Sequence, residues 1–212
     1  NVYRGLAPFF RKKQDPATRL FLEAERDETW EYPIRSFDPG VWYMGYASVG
    51  EVTEIGNRVK GIQIGDVVAC SAPHQEENVI HEEDAVVLPK DIPPEKGILL
   101  TNLITAYNGI MDTHINLGDV VVISGLGVLG QLLVQMARMS GAHKVYGIDM
   151  IEKRRAAALE NGCDEVFDPS ASDVALEIRR RTGCRGADKV IEASGNGKAL
   201  NEAIRIAAPE TT

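Results

Sequence analysis

The hydrophobic pattern divides the chain into two parts. Between residues 41 and 89, short apolar runs alternate with Gly, Pro, Asn and Asp turns, whereas from 93 to 207 runs of strand length alternate with segments of helical spacing. The first pattern predicts a small β-barrel or β-rich domain, and the second predicts a doubly wound parallel sheet. Residues 1–40 carry charged runs separated by prolines without a clean period, which predicts loop with short strands.

The β-rich part is predicted to contain four short strands, at 47–56, 67–70, 79–80 and 85–88. A helix should begin at Pro93 and Pro94, since proline is tolerated in a first helical turn, and its apolar positions keep helical spacing to about Met111. We therefore predict one domain over 1–115, with a linking helix at about 94–112, and a second domain over 116–212.

The second part repeats a strand followed by a helix four times. Strands are predicted at 120–123, 144–148, 165–168 and 188–193, and helices at 131–140, 152–160, 175–182 and 199–207. This alternation is typical of the α/β dinucleotide-binding (Rossmann) sheet, which has six strands when complete. Because the chain begins with Asn1 rather than Met and ends after four strands, we expect it to be incomplete at both ends.

A glycine-rich turn joins the first strand of this part to its helix. Its glycines follow the spacing G-x-G-x-x-G, in which the first permits a tight turn, the second lets phosphates approach the backbone and the third lets the helix pack closely. The residues of this turn assigned to a cofactor are Ser124, Gly125, Gly127, Val128, Leu129 and Gly130. A glycine turn that only packs a helix against a strand is the alternative.

An acidic residue ends the next strand, where such folds recognise the adenosine ribose. Asp149 lies 19 residues after Gly130, close to the spacing expected for a ribose ligand. Its charge would repel the 2′-phosphate of NADP by a few kcal/mol at an effective dielectric constant of about 20, so NAD is the expected cofactor. Lys153, Arg154 and Arg155 could soften this preference; we assign Arg154 to the site, and surface charge is the alternative for these three.

Ser194 and Gly195 follow the fourth strand. Ligands of doubly wound sheets lie beyond the carboxyl ends of the strands, so this turn is predicted to line the nicotinamide half of the cofactor site. An ordinary connection between a strand and a helix explains the same residues equally well.

Composition narrows the classes of partner. A net charge of −8 argues against a nucleic acid held through its phosphates, and nothing approaches 18 consecutive apolar residues, so neither nucleic acid nor membrane is expected. Cys70, Cys163 and Cys184 form no C-x-x-C pair. They are predicted to be free thiols in a reducing compartment, which favours a cytoplasmic protein.

The order of these parts resembles the medium-chain dehydrogenase/reductase family, relatives of the zinc alcohol and polyol dehydrogenases. The resemblance covers about residues 45 to 207 and rests on segments 49–56, 65–68, 88–89, 103–107, 125–130, 162–164 and 190–195. It implies a chaperonin-10-like catalytic domain followed by an NAD(P)-binding domain, with substrate and cofactor meeting in the cleft between them.

The zinc positions of that family differ here. Zinc members carry Gly-His-Glu where this chain has Gly45, Tyr46 and Ala47, and Thr101 falls near another ligand position. No metal is therefore expected, and the chain looks like a zinc-lacking subgroup that includes relatives of bacteriochlorophyllide dehydrogenase. No catalytic residue is assigned. Tyr46 is a candidate proton donor or hydrogen-bond anchor, with packing as its alternative, and His74 is a candidate for which a surface position is favoured.

Together these features predict an NAD(P)-dependent oxidoreductase that transfers a hydride between nicotinamide and an alcohol, a carbonyl or an activated alkene. A small-molecule substrate is the expected partner, and a homodimer is the assembly considered. The alternatives are a zinc dehydrogenase with unusual ligands and a non-catalytic NAD(P)-binding or redox-sensing module. A methyltransferase is disfavoured, because its usual motif is G-x-G-x-G, whereas here the third glycine is Gly130 and a β-rich domain precedes the turn.

Overall fold

A computed structural model describes residues 45–209 and two short earlier strands, Lys13–Gln14 and Phe21–Leu22. Most of the stretch predicted as loop with short strands, 1–40, lies outside the described residues. The chain divides into two compact units, Asn1–Pro89 and Lys90–Thr212. Among the described residues no helix is long and apolar enough to cross a membrane.

The first unit contains short antiparallel strands. They are β1 (Lys13–Gln14), β2 (Phe21–Leu22), β3 (Ser48–Glu51), β4 (Val67–Cys70) and β5 (Ala85–Val87). The first two pair with each other, and the others form a sheet in the order β3-β4-β5. The strand predicted at Val79 and Ile80 was wrong: this segment is not in a strand, and Val79 is 92% exposed, so no burial favours an extended pairing there.

The second unit is built on a parallel sheet. Its strands are β6 (Val120–Ser124), β7 (Lys144–Ile148), β8 (Glu165–Phe167) and β9 (Lys189–Glu192), in the order β8-β7-β6-β9. This order matches the first four strands of a dinucleotide-binding sheet and confirms the predicted α/β class. The strand β6 lies between two neighbours, so the glycine turn that follows it emerges at the middle of the sheet.

Six helices accompany this sheet. They are α1 (Pro94–Gly97), α2 (Leu100–Thr113), α3 (Val128–Met139), α4 (Glu152–Glu160), α5 (Val174–Arg181) and α6 (Gly197–Ile206). The single helix predicted at 94–112 is two helices, because the chain turns at Ile98 and Leu99. Both belong to the compact unit Lys90–Thr212. The domain boundary at 115/116 stays a prediction. Ala106 and Ile110 of α2 are buried in the core of the sheet domain.

The residues of β6 alternate between two cores, and all five are buried. Val121 and Ile123 pack in one cluster with residues of α2, α3 and α4, and Val120 and Val122 pack in another with residues of α5 and α6. A strand buried on both faces reads as a continuous apolar run, which explains the sequence of β6.

A polar cluster around Asp164 ties α3 to β7. Its carboxylate accepts hydrogen bonds from Arg138 Nη2 at 2.6 Å, Lys144 Nζ at 3.0 Å and the Val145 N–H at 2.8 Å. Partial burial alone would raise the pKa of Asp164, but these donors outweigh it and hold the pKa below its ordinary value.

Candidate active site

The glycine turn after β6 is shaped by two close contacts. Gly125 has φ +94°, and a Cβ there would lie 2.6 Å from the backbone nitrogen of Ser194. A Cβ on Gly130 would lie 2.0 Å from the carbonyl oxygen of Gly125. Both positions therefore need glycine because of the packing of the protein itself.

Gly127 differs from its two neighbours. Its φ of −71° and ψ of −163° suit any residue, and a Cβ there would meet no atom of the described chain within 4 Å. The residue is the N-cap of α3, and no described side chain caps this helix end. Open space thus lies beside the unpaired N–H groups and positive dipole end of a 12-residue helix, an arrangement that suits a phosphate group.

Asp149 joins the glycine turn to the start of α4. Its side chain is 7% exposed. Its Oδ2 accepts from the Leu126 N–H at 2.9 Å and its Oδ1 from the Ile151 N–H at 2.8 Å. A carboxylate oxygen can accept two hydrogen bonds, so capacity for a ribose hydroxyl remains. The sequence predicted the ribose role and not these backbone contacts.

The three basic residues that follow are in different environments. Arg154 is half exposed, and its Nη1 lies 3.5 Å from Asp149 Oδ2. Arg155 is engaged by the fold, since its Nη1 donates to the Asp149 carbonyl at 2.8 Å and pairs with Asp168 at 3.0 Å. Lys153 is exposed. Of the three, Arg154 is therefore the cation whose charge lies beside Asp149 and remains accessible.

The turn after β9 meets the glycine turn, as the contact between Ser194 and Gly125 requires. Glu192 shapes it: its Oε1 accepts from the Ser194 N–H at 2.7 Å and from the Ser194 hydroxyl, and its Oε2 accepts from the Gly195 N–H at 3.1 Å. The structure thus brings the predicted residues Gly125, Ser194 and Gly195 together at one edge of the sheet.

Comparison with known proteins agrees with this geometry. A family model described as "Zinc-binding dehydrogenase" matches residues 128–212. The chain is 30% identical over 206 residues to D-guloside 3-dehydrogenase of Escherichia coli (strain K12), covering 96% of this chain and 57% of that protein. It is 33% identical over 196 residues to L-threonine 3-dehydrogenase of Pyrococcus furiosus, covering 78% and 56%.

A solved structure extends the likeness to three dimensions. The fold matches a candidate zinc-binding dehydrogenase from Sinorhizobium meliloti 1021, solved bound to NADP, with a TM-score of 0.72 and 26% identity over 79% of this chain and 58% of that one. The proteins that it matches are dehydrogenases and reductases of the medium-chain family. The chain spans slightly more than half the length of the curated relatives it matches.

Tyr46 and His74 lie in the first unit of the chain. Tyr46 is 53% exposed. Its neighbour Gly45 has φ +81° and faces the imidazole of His74, whose ring atoms lie 2.2–2.5 Å from where a Cβ would stand. The Ser48 hydroxyl holds the loop before His74 by donating to the Pro73 carbonyl at 3.0 Å. The residue before Tyr46 and the side chain of His74 are therefore adjacent, and His74 is exposed, as the sequence favoured.

The zinc-ligand positions of the family carry other side chains in this chain. Within the described part of the chain, no group of three His, Cys, Asp or Glu side chains could hold a metal ion. Ala47 offers no ligand atom, and Tyr46 and Thr101 do not restore the usual N, S and carboxylate donors. The described residues therefore do not bring together the three N, S or O donors that a catalytic zinc ion needs.

Two side chains of the site domain were not predicted from the sequence. Glu192 lies two residues before the Ser194 turn, and Gln131 lies just after the third glycine. The only local sign of a role for Glu192 or Gln131 is that a polar residue stands at a half-buried position beside a glycine turn. Such residues are common on helices and at strand ends.

Proposed function

We propose that this protein is an NAD(P)-dependent oxidoreductase that transfers a hydride between the nicotinamide ring and an alcohol, a carbonyl or an activated alkene. The observation that carries the proposal is the open space at Gly127, beside an uncapped helix start and within a turn otherwise packed to contact. Relatives named as D-guloside and L-threonine dehydrogenases support a substrate that carries a hydroxyl group.

Different residues of the second unit would hold the pyrophosphate, the adenosine ribose and the nicotinamide of the dinucleotide. The first-turn N–H groups of α3 would bind the pyrophosphate, Asp149 would accept from the adenosine ribose, and Ser194 and Gly195 would line the nicotinamide half. The bound nicotinamide supplies the hydride donor or acceptor. The task of the chain is then to orient the ring against the substrate and to exclude water.

We further propose that NAD is preferred over NADP. A 2′-phosphate would lie near the Asp149 carboxylate, and repulsion of a few kcal/mol at an effective dielectric constant of about 20 disfavours it. Arg154, whose guanidinium lies 3.5 Å from that carboxylate, would oppose this effect where it pairs with the phosphate instead. The solved relative that binds NADP indicates that the balance differs among family members.

We also propose that the hydride transfer proceeds without zinc. Tyr46, Ala47 and Thr101, which stand at the family's zinc positions, support this. Without a metal, the substrate oxygen must be polarised by a hydrogen-bond donor. The Tyr46 hydroxyl and the His74 imidazole are the candidates on the first unit.

Titration of the purified chain with NADH and NADPH, followed by nicotinamide fluorescence, tests the cofactor. A lower Kd for NADH is expected, and tighter binding of NADPH would reverse the preference.

Elemental analysis of the same sample tests for a bound metal, and stoichiometric zinc would establish the alternative of a zinc dehydrogenase with unusual ligands. Binding without turnover over a panel of alcohols and aldehydes would favour the non-catalytic module. Sedimentation of the same sample checks the predicted homodimer.

A further inference from the structure

The carboxamide of Gln131 joins three separate backbone segments. Its Nε2 donates to the Leu126 carbonyl at 3.1 Å and to the Arg154 carbonyl at 2.9 Å. Its Oε1 accepts from Asn161 Nδ2 at 2.8 Å. Both donors and the acceptor of this half-buried side chain are therefore used within the fold.

Two of the three partners, Leu126 and Arg154, also contact Asp149. Leu126 belongs to the glycine turn and donates its N–H to Asp149. Arg154 lies in the first turn of α4 with its guanidinium 3.5 Å from the Asp149 carboxylate, whereas Asn161 follows the last turn of the same helix. Gln131 thus holds α4 at both ends against the glycine turn.

A small apolar side chain, that of Ala158, packs α4 into the core of the sheet domain. Ala158 is the buried residue of this helix, so its position depends strongly on polar contacts. Asp149, by contrast, is held by two backbone N–H groups, that of Leu126 in the glycine turn and that of Ile151 just before α4. Loss of the Gln131 contacts would therefore displace Arg154 more readily than it would displace Asp149.

We infer that Gln131 is a positioning residue that keeps Arg154 against Asp149 and thereby sets the discrimination between a 2′-hydroxyl and a 2′-phosphate. This inference rests on the proposed function. A guanidinium held beside Asp149 is partly neutralised by it, whereas a released guanidinium can reach a 2′-phosphate and pair with it. Releasing α4 should therefore favour NADPH relative to NADH.

The test compares Gln131→Leu and Gln131→Glu with Gln135→Leu. Gln135 lies one turn later on α3 and is exposed. Within the described residues, its side chain donates a hydrogen bond only to the backbone carbonyl of Gln131 in the same helix. The ratio of the Kd for NADPH to the Kd for NADH should fall about three- to tenfold in both Gln131 variants, the effect of about one neutral hydrogen bond, and stay unchanged in Gln135→Leu. AMP and its 2′-phosphorylated form should follow the same ratio.

A purely structural role would weaken both dinucleotides equally, so an unchanged ratio overturns the inference. Hydrogen exchange gives a second readout that does not depend on cofactor: the amides of residues 152–155 should exchange faster in Gln131→Leu than in Gln135→Leu, and equal rates also overturn it. Failure of the wild type to bind either dinucleotide would overturn the proposed function itself, and the cofactor part of the inference with it.

Discussion

Replacing Gly127 with alanine should weaken dinucleotide binding while leaving the fold intact. The backbone at this position suits alanine, and the new methyl group would meet no described atom within 4 Å. Alanine lowers the entropy of the unfolded chain but is a poorer N-cap than glycine, and these effects are each about 0.5–1 kcal/mol with opposite sign. The free energy of unfolding should therefore change by less than about 1 kcal/mol.

The effect on binding should be larger. The methyl group would occupy the space through which a phosphate reaches the N–H groups of α3, and a charge-assisted hydrogen bond contributes about 1.5–3 kcal/mol. Loss of one such bond raises the Kd by about 10- to 150-fold. The Kd for NADH, measured by fluorescence titration, gives this value, and thermal unfolding without cofactor gives the change in stability.

Gly130→Ala is the matched comparison. Its methyl group would lie 2.0 Å from the Gly125 carbonyl oxygen, so backbone must move and the melting temperature should fall by several degrees. If Gly127→Ala binds NADH as tightly as the wild type, no phosphate passes this glycine and the assignment of the turn is refuted. If Gly127→Ala unfolds like Gly130→Ala, the space beside Gly127 is not open.

Three further outcomes are expected. Glu192→Gln should raise the Kd for NADH about three- to tenfold and leave that for AMP unchanged in competition titrations, because it loosens only the turn at the nicotinamide side; equal losses would contradict this. Because the pKa of Asp164 is lowered on folding, its stabilisation is present above about pH 4 and is lost as the pH falls through the folded pKa. Urea unfolding of Asp164→Asn should accordingly show about 1–3 kcal/mol less stability at neutral pH and a weaker acid dependence, and an unchanged dependence would refute this. Burial, with the neighbouring carboxylate second, raises the pKa of Cys163 to about 12, whereas Cys184 is exposed, so maleimide should modify Cys184 first in mass spectra; early modification of Cys163 would contradict its burial.

Local pattern was enough to predict the sheet domain. A run of apolar β-formers at 120–123, a glycine turn and a helical period can form a strand, a turn and a helix with few alternatives, because backbone sterics and hydrophobic periodicity act over neighbouring residues. Local pattern was insufficient at Val79 and Ile80, since a two-residue apolar run is a strand only where a partner strand and a buried surface exist.

The sequence by itself determined the element order, the parallel sheet and the glycine turn, because these follow from local sterics and periodicity. Only the tertiary structure supplied the contacts behind the three glycine roles: Gly125 and Gly130 meet backbone, and Gly127 meets open space. It also decided that Asp149 is bound by Leu126 and that Gln131 reaches Asn161. Such contacts join residues far apart in the chain, and their existence depends on how the strands and helices pack rather than on neighbouring residues.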